Sequence, residues 1–220
     1  MKKLVLFTVL FLFGVSAVVF YENRVSLPPA ISLRIEKQPT IGYRKAPIHL
    51  VVFEEPKCPE CRDFSLHVYP RLKTEFLDTN LMRYTVVPVS FIPGSMPAAI
   101  ALLAAMNQEE DFQNEELFFH FLHYMYQHQP DEATDWATVQ TLKTFAKGTS
   151  AAIDLDRLRL ALAKETYRGQ IEKNTDYGME IMQGELVTPT AYVNGIRAED
   201  LNYTALSHLI RAVLQQGDKR

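Results

Sequence analysis

The alternation of apolar and polar residues predicts a strand, a helix and a second strand in the first half of the chain. The stretch PIHLVVFEE, residues 47–55, is β-branched and apolar over a short span, as in a buried strand. Residues 59–78 carry apolar side chains at four-residue steps, which predicts an amphipathic helix that Pro70 should kink. LMRYTVVPV, residues 81–89, reads as another strand, and this order predicts two parallel strands joined by a right-handed crossover.

Helical patterns occupy the chain from about residue 97 to 183, and a strand pattern returns only after them. The helical stretches are PAAIALLAAMNQ, NEELFFHFLHYMYQH, TDWATVQTLKTFAKG, DLDRLRLALAKE and YRGQIEKNTDYGMEIM. The third of them, which begins at Thr134, should end at Gly148. TPTAYVNG, residues 188–195, is a strand whose last two residues predict a hairpin turn, and a final amphipathic helix is expected over about 203–216.

These elements predict an α/β protein built from one interrupted unit. A βαβ half over residues 47–96 is followed by a helical insertion over 97–183. A β-hairpin and a final helix over 184–220 then complete the unit.

The N-terminal part of the chain differs from the rest. In residues 1–21, Lys2 and Lys3 precede the uncharged run LVLFTVLFLFGVSAVVFY, which is typical of a secretory signal peptide or, if uncleaved, of a membrane anchor. Both alternatives place the rest of the protein outside the cytoplasm. Residues 22–46 are rich in proline and polar residues, so we expect an extended linker in which Ile31–Ile35 can form a short edge strand.

Composition and charge are those of an ordinary globular protein. The chain has 220 residues, of which 47% are hydrophobic and 22% charged, so it is long enough for a sizeable core. Its formal net charge of −3 gives no reason to expect a nucleic-acid partner.

The two cysteines, Cys58 and Cys61, stand two residues apart in EEPKCPECRDF. They can be half of a zinc site, which would need further ligands such as His120, His123 and His128. They can instead form a structural staple, although closing so short a loop removes little entropy from the unfolded chain. The third interpretation is a redox pair that cycles between two thiols and a disulfide, and the surrounding sequence favours it.

The position of Cys58 explains this preference. Cys58 follows a strand and begins a helix, where unpaired backbone N–H groups and the helix dipole stabilise an anion. Pro59 suits the first helical turn because its missing N–H is not needed there. We therefore expect Cys58 to have a pKa well below the ~8.5 of a free thiol. Cys61, one turn along the helix, is then placed to resolve a mixed disulfide.

The motifs together resemble those of the DsbA-like thiol–disulfide oxidoreductases of the thioredoxin superfamily, in particular its BdbD-like branch. The resemblance covers about residues 41–215 and rests on CPEC after a strand, YPRLKTEFLDTNLMRY after it, the helical insertion, and LVTPTAYVNG near the end. It implies a thioredoxin fold with a helical domain inserted between the βαβ half and the C-terminal hairpin and helix.

The resemblance also implies a function and the residues that perform it. The protein would exchange a Cys58–Cys61 disulfide with exported client proteins and oxidise them, with Cys58 as the nucleophile and Cys61 as the resolving cysteine. Thr188–Pro189 matches the family's cis-proline loop, which pairs with the extended client chain beside the disulfide. A membrane redox partner is implied as well, and neither a metal nor an organic cofactor is needed.

One departure from the family pattern lies between the cysteines. Glu60 stands where members often have histidine, and its charge should raise the pKa of Cys58 and make the disulfide less oxidising. We therefore assign Pro59 and Glu60 a redox-tuning role. Lys57 and Arg62, which flank the motif, should act in the opposite direction.

A second departure concerns the acid that often lies under the resolving cysteine. Glu54 and Glu55 are adjacent on alternating faces at the end of the strand, so one of them can point beneath the helix and accept a proton. The alternative, which we favour, is that both carboxylates are solvated at the strand end.

Two other functions stay open at this point. Reduction or isomerisation of client disulfides would use the same two cysteines. A redox-inactive module that binds clients or a metal would use the helical insertion instead, and disulfide exchange separates it from the enzyme.

Overall fold

The computed structural model describes residues 27–109 and 113–217. The predicted signal peptide or anchor, residues 1–21, lies outside these described residues. Within them, no helix has both the length and the apolar character that crossing a membrane requires.

A mixed sheet of five strands forms within the described residues. The strands are β1 Thr40–Gly42, β2 Ile48–Glu54, β3 Met82–Pro88, β4 Thr190–Val193 and β5 Ile196–Arg197. Their order in the sheet is β1-β3-β2-β4-β5, and only the central pair, β2 and β3, is parallel. Asn194 and Gly195, with φ angles of 47° and 83°, form the turn between β4 and β5. The parallel pair and the hairpin were both predicted and are confirmed.

The helices follow the predicted order along the chain. A helical run over 59–77, here α1, joins β2 to β3. The helices between β3 and β4 and after β5 are α2 Met96–Met106, α3 Glu115–Gln127, α4 Val139–Thr149, α5 Leu155–Ala163, α6 Arg168–Ile181 and α7 Tyr203–Gly217. The helical insertion between the two parts of the sheet is therefore confirmed.

Pro70 changes the form of α1 without ending it. A π-helical turn, Phe64–Val68, precedes the α-helical turn Tyr69–Leu72, and a second π-helical turn, Lys73–Leu77, follows. Proline has no N–H to donate, and its ring crowds the carbonyl group one turn earlier, so a wider turn ahead of it relieves the crowding. The kink predicted at Pro70 takes the form of a local change of helix type.

The third predicted helix of the insertion has different ends from those expected. It begins only after Thr138, whose hydroxyl caps α4, so the expected start at Thr134 is wrong. It also continues past Gly148, against which Tyr124 packs so closely that a β-carbon would collide with the tyrosine hydroxyl. The glycine marks a close contact and not the end of the helix.

The segment expected to be a linker packs on the sheet. Ile31–Ile35 is extended but pairs with no strand, so the short edge strand expected there is wrong; the edge strand in this part of the chain is β1, at Thr40–Gly42. The Ile31 N–H donates to the Gly195 carbonyl oxygen at 2.9 Å. Leu33 and Ile35 pack against the apolar side chains between the sheet and α6. These two side chains cover a face of the sheet, which an edge strand would leave open.

Both faces of β2 are covered. Leu50 and Val52 belong to the core shared with α1, α7 and the insertion. Val51 and Phe53 belong to a second cluster, which α6 covers. Burial on both faces explains why the strand is apolar at nearly every position instead of alternating. Because both faces are covered, the end of β2 and the residues that follow it are also buried in the core.

Candidate active site

Cys58 lies at the junction of β2 and α1. Its backbone is extended, with φ −68° and ψ 123°, and it is the N-cap residue of α1. Its N–H donates to the Glu55 carbonyl oxygen at 3.0 Å, and Pro59 occupies the first helical turn. Cys58 and Cys61 are both free thiols. The predicted order of strand, cysteine and helix start is confirmed.

Neighbouring groups acidify the Cys58 thiol. Hydrogen bonding from the Cys61 thiol is the largest effect that lowers the pKa of Cys58, and the Cys61 backbone N–H acts in the same direction. Burial opposes them but does not prevail. A lowered pKa of Cys58 was predicted from its position at the start of the helix. In the structure, the main cause is instead the hydrogen bond from the Cys61 thiol.

The Cys61 thiol has the opposite character. Its side chain is fully buried, and burial is the largest effect that raises the pKa of Cys61 well above that of a free thiol. The hydrogen bond with Cys58 and the charge of Glu54 raise it further. The two thiols therefore ionise separately, Cys58 first.

Glu60 contacts the Cys58 sulfur directly. Its Oε2 atom lies 3.3 Å from Cys58 Sγ and raises the pKa of Cys58, in the direction that the sequence predicted. The flanking cations do not contact the sulfur. The Lys57 ammonium is turned inward, and Arg62 pairs with Asp63 at 3.3 Å. The predicted lowering of the Cys58 pKa by Lys57 and Arg62 is therefore not supported by any contact between these cations and the sulfur.

The expectation that Glu54 and Glu55 are solvated is wrong. Their exposed fractions are 1% and 0%. Burial raises the pKa of each carboxyl to about 7, against hydrogen bonds that act in the opposite direction. The physical reason is the cover on both faces of β2, which extends past the last residue of the strand.

Two tyrosine hydroxyls hold the Glu54 carboxyl group. Tyr84, from β3, donates to Oε1 at 2.6 Å, and Tyr126, from α3, donates to Oε2 at 2.9 Å. Both tyrosine side chains are fully buried. The charge of Glu54 raises the pKa of Cys61, so this carboxyl lies close to the buried thiol. Of the two adjacent acids, Glu54 is therefore the candidate for the acid expected near the resolving cysteine.

Glu55 has a different set of partners. Its Oε2 atom accepts the Lys57 N–H at 2.6 Å, and the charge of Lys57 lowers the pKa of the Glu55 carboxyl slightly. The Lys57 side chain is itself buried, and its ammonium donates to the carbonyl oxygens of Pro93 and Thr134 at 2.9 and 3.0 Å. This group fixes the backbone just ahead of Cys58.

The loop between α3 and α4 also holds the cysteine motif. Gln129 Nε2 donates to the Pro56 carbonyl oxygen at 2.8 Å and lies 3.4 Å from that of Cys58. Thr134, in the same loop, accepts from Lys57. The helical insertion thus contributes directly to the geometry at Cys58.

Thr188 and Pro189 lie beside the reactive sulfur. Their peptide bond is cis, and the Thr188 carbonyl oxygen is 3.3 Å from Cys58 Sγ. Thr188 is buried and Pro189 is half-buried. The fold therefore brings together two motifs that are 130 residues apart in the sequence.

The structure gives the zinc interpretation no set of ligands. Across residues 27–109 and 113–217, no three His, Cys, Asp or Glu side chains form a group that could hold a metal ion. His120 and His123 are exposed on α3, and the His128 ring stacks on that of Tyr124 with centroids 4.0 Å apart.

Several residues of the site were not found from the sequence. Tyr84, Tyr126 and Gln129 have no motif around them, and their contacts join distant parts of the chain. For Glu54 a signal was present: an unbroken apolar run indicates a strand buried on both faces, so an acid at its end is expected to be buried as well.

Comparison with known proteins supports the assignment that this geometry suggests. A family model described as Thioredoxin matches residues 34–212. Disulfide bond formation protein D of Bacillus subtilis (strain 168) is 32% identical over 161 residues, which are 73% of this chain and 69% of that protein.

Solved structures agree with the sequence comparison. Chlamydia trachomatis DsbA superposes with a TM-score of 0.78 at 34% identity, covering 86% of this chain and 98% of that one. Oxidised BdbD from Bacillus subtilis superposes with a TM-score of 0.75 at 31% identity, covering 86% of this chain and 100% of that one. The predicted thioredoxin fold with a helical insertion is confirmed. The chain belongs to the thioredoxin family, as a DsbA-like thiol–disulfide oxidoreductase.

Proposed function

We propose that the protein is an extracytoplasmic oxidant that transfers a Cys58–Cys61 disulfide to exported proteins. The observation that carries the proposal is the unequal acidity of the two thiols, since the pKa of Cys58 is lowered and that of Cys61 is raised. A stabilised thiolate favours the reduced pair, and a pair that is stable when reduced gives up its disulfide readily. The names of the relatives, disulfide bond formation protein and DsbA, support the same direction of electron flow.

The exchange takes two steps in the oxidising direction. A client thiolate attacks the Cys58 sulfur, the Cys58–Cys61 bond breaks, and the Cys61 sulfur leaves with the electron pair and takes up a proton. A second client thiolate then attacks the client sulfur of the mixed disulfide and releases Cys58 as a thiolate. The client loses two electrons, and the cysteine pair gains them.

Glu54 is suited to exchange the proton of Cys61. Its pKa of about 7 means that both the acid and the carboxylate are populated near neutral pH. The acid form can donate to the departing Cys61 sulfur, and the carboxylate can remove the same proton when the reaction runs in reverse. Tyr84 and Tyr126 keep the carboxyl group in place for either direction.

We assign Thr188 and Pro189 to client binding. A client sulfur that reaches Cys58 has to pass close to the Thr188 carbonyl oxygen, which is 3.3 Å from the reactive sulfur. The preceding Val187 is 45% exposed and offers apolar contact next to this position. Thr188 and Pro189 would bind the client in the same way whether the protein oxidises or reduces it.

The cellular location and a partner complete the proposal. The apolar segment in residues 1–21 supports export, as a cleaved signal or as an anchor. Each oxidised client leaves the pair reduced, and the chain has no further cysteine to accept the electrons. We therefore assign re-oxidation to a separate membrane redox protein.

Reduction or isomerisation of client disulfides would use the same cysteines, whereas a redox-inactive binding module would use neither. The first test therefore replaces each cysteine in turn. Cys61→Ser should accumulate mixed disulfides with exported proteins, because the Cys58 thiolate still attacks a client disulfide, releasing one client thiolate, and the neighbouring thiol that would displace the bound client is missing. Cys58→Ser should accumulate few, because the remaining thiol is buried and its pKa is raised. Non-reducing electrophoresis of the two variants measures this difference, and equal trapping by both would contradict the assigned roles.

The contact between Glu60 and Cys58 sets a second prediction. Glu60→Gln removes the charge 3.3 Å from the sulfur at nearly constant shape, so the pKa of Cys58 should fall and the reduced form should gain stability. One pKa unit corresponds to about 30 mV for this two-electron couple, so we expect the redox potential to rise by up to about that amount. Equilibration with a glutathione series measures the redox potential of the Cys58–Cys61 pair.

Asp63→Asn, which removes an exposed carboxylate that pairs with Arg62, is the control and should leave the potential unchanged. A lower or unaltered potential for Glu60→Gln would remove its tuning role.

The proton transfer assigned to Glu54 sets a third prediction. In a Cys58–glutathione mixed disulfide, attack by Cys61 should accelerate as the pH rises through about 7, because the carboxylate then accepts the Cys61 proton. Glu54→Gln should lose this inflection and react about a hundredfold more slowly. Stopped-flow release of glutathione across the pH range measures the rate.

Glu55→Gln is the matched control for this measurement. Glu55 is equally buried and has the same pKa of about 7, but its carboxyl group faces Lys57. Its variant should keep the inflection. If Glu55→Gln loses the inflection and Glu54→Gln keeps it, the proton acceptor is Glu55 and the assignment is wrong.

A further inference from the structure

A cavity of about 250 Å3 lies between α1, β1 and α3. Its walls include Ile41 and three aromatic rings, those of Tyr69, Tyr84 and Phe119. Tyr84 stacks on Tyr69 with centroids 4.5 Å apart and lies 5.4 Å from Phe119, so the aromatic walls are contiguous. A lining of this kind matches the flat, apolar faces of an aromatic molecule.

Two hydroxyl groups on the cavity wall have no protein partner. Ser65 and Tyr69 both line the cavity, one turn apart on α1. Neither side-chain hydroxyl forms a hydrogen bond with any residue in the described part of the chain, and Ser65 is only 6% exposed. Both hydroxyls are thus free to donate to a molecule in the cavity, and a ligand atom that accepts from them gains a hydrogen bond there. The cavity therefore fits a molecule with a hydrogen-bond acceptor.

The charges at the cavity argue for a neutral ligand. The Lys73 ammonium is 2.6 Å from an Asp78 carboxylate oxygen and is already paired. Glu116 has no ion pair among the described residues and would repel an anion. His120 and His123 complete the polar side of the cavity, but most of its lining is apolar or aromatic, which disfavours burial of a charged ligand.

The size of the cavity limits the ligand to one or two rings. An apolar cavity of roughly 150 Å3 is enough to hold benzene, whereas drug-sized molecules occupy roughly 300–1,000 Å3. We propose that this cavity is a binding site for a small neutral aromatic molecule that carries one hydrogen-bond acceptor, held by the Ser65 and Tyr69 hydroxyls against the Tyr84 and Phe119 rings.

The site is separate from the path of the client. Cys58, Cys61 and Thr188 do not line the cavity, so a ligand there leaves the reactive sulfur accessible. The wall residue Tyr84 nevertheless donates to Glu54, so the occupant contacts the residue that holds the buried carboxyl group. The proposal does not depend on the direction of disulfide exchange or on the identity of the client.

The test compares two probes of the same shape, acetophenone and 2-phenylpropene, which has a methylene group in place of the carbonyl oxygen. Ligand-observed NMR with the reduced full-length protein should give saturable binding of acetophenone, about fivefold tighter than that of 2-phenylpropene, the ratio expected for one hydrogen bond. The double variant Ser65→Ala/Tyr69→Phe should abolish this preference. Tyr43→Phe, which alters an exposed tyrosine outside the cavity, is the control and should retain it.

A cavity-filling variant locates the binding. Ile41→Phe adds an aromatic ring at the β1 wall and should eliminate acetophenone binding while disulfide exchange continues, which also establishes that the variant is folded. Failure of the wild-type protein to bind acetophenone would overturn the proposal. So would equal affinity for the two probes, or undiminished binding to a folded Ile41→Phe protein.

Discussion

The carboxyl end of β2 lies in the core of the protein, and this constraint determines the form of the reactive site. A strand covered on both faces has no solvated end, so Glu54 and Glu55 are removed from water together with the Cys61 thiol. Burial of an acid favours its neutral form, which raises the pKa of all three groups. Cys58, the N-cap residue of α1, is buried as well, but hydrogen bonds from its neighbours to its sulfur outweigh the effect of burial and lower its pKa. The contrast between the two cysteines therefore arises from the hydrogen bonds that Cys58 accepts at the start of the helix.

Buried polar groups need partners, and the helical insertion supplies several of them. Tyr126 donates to Glu54, Gln129 donates to the backbone before Cys58, and Thr134 accepts from the buried Lys57 ammonium. Each of these residues follows the βαβ half by tens of positions in the sequence. The insertion is therefore part of the reactive site, because it supplies one of the two tyrosine hydroxyls on the Glu54 carboxyl group and one of the two carbonyl oxygens that accept from the Lys57 ammonium.

Local sequence patterns predicted most of the fold and part of the site. The apolar run of β2, the four-residue spacing of α1 and the Asn194–Gly195 turn are properties of neighbouring residues, and each was found correctly. The position of Cys58 at a helix start follows from the same kind of pattern. The approach of Thr188 to Cys58 joins two distant segments, and the sequence indicated it only through a resemblance to a known family.

Several errors of the sequence analysis share one physical cause. The solvation expected for Glu54 and Glu55, the extended linker expected over residues 22–46, and the effect on Cys58 expected from the charge of Lys57 all depend on which surfaces other elements cover. The periodicity of apolar residues indicates which faces of one helix or strand are buried, but it does not indicate which other elements pack against its end. Leu33 and Ile35, for example, look like strand residues because they are apolar at alternate positions, yet they pack on a cluster that only the folded chain creates.

The central claim, that the fold gives the two thiols opposite acidity, is tested most directly by titrating them. The ultraviolet absorbance of thiolate in the reduced protein, followed against pH, should reveal one group that ionises below the value of about 8.5 for a free thiol and a second that stays protonated well above it. The low transition should disappear in Cys58→Ser. Two thiols that titrate together near the value of a free thiol would contradict the account.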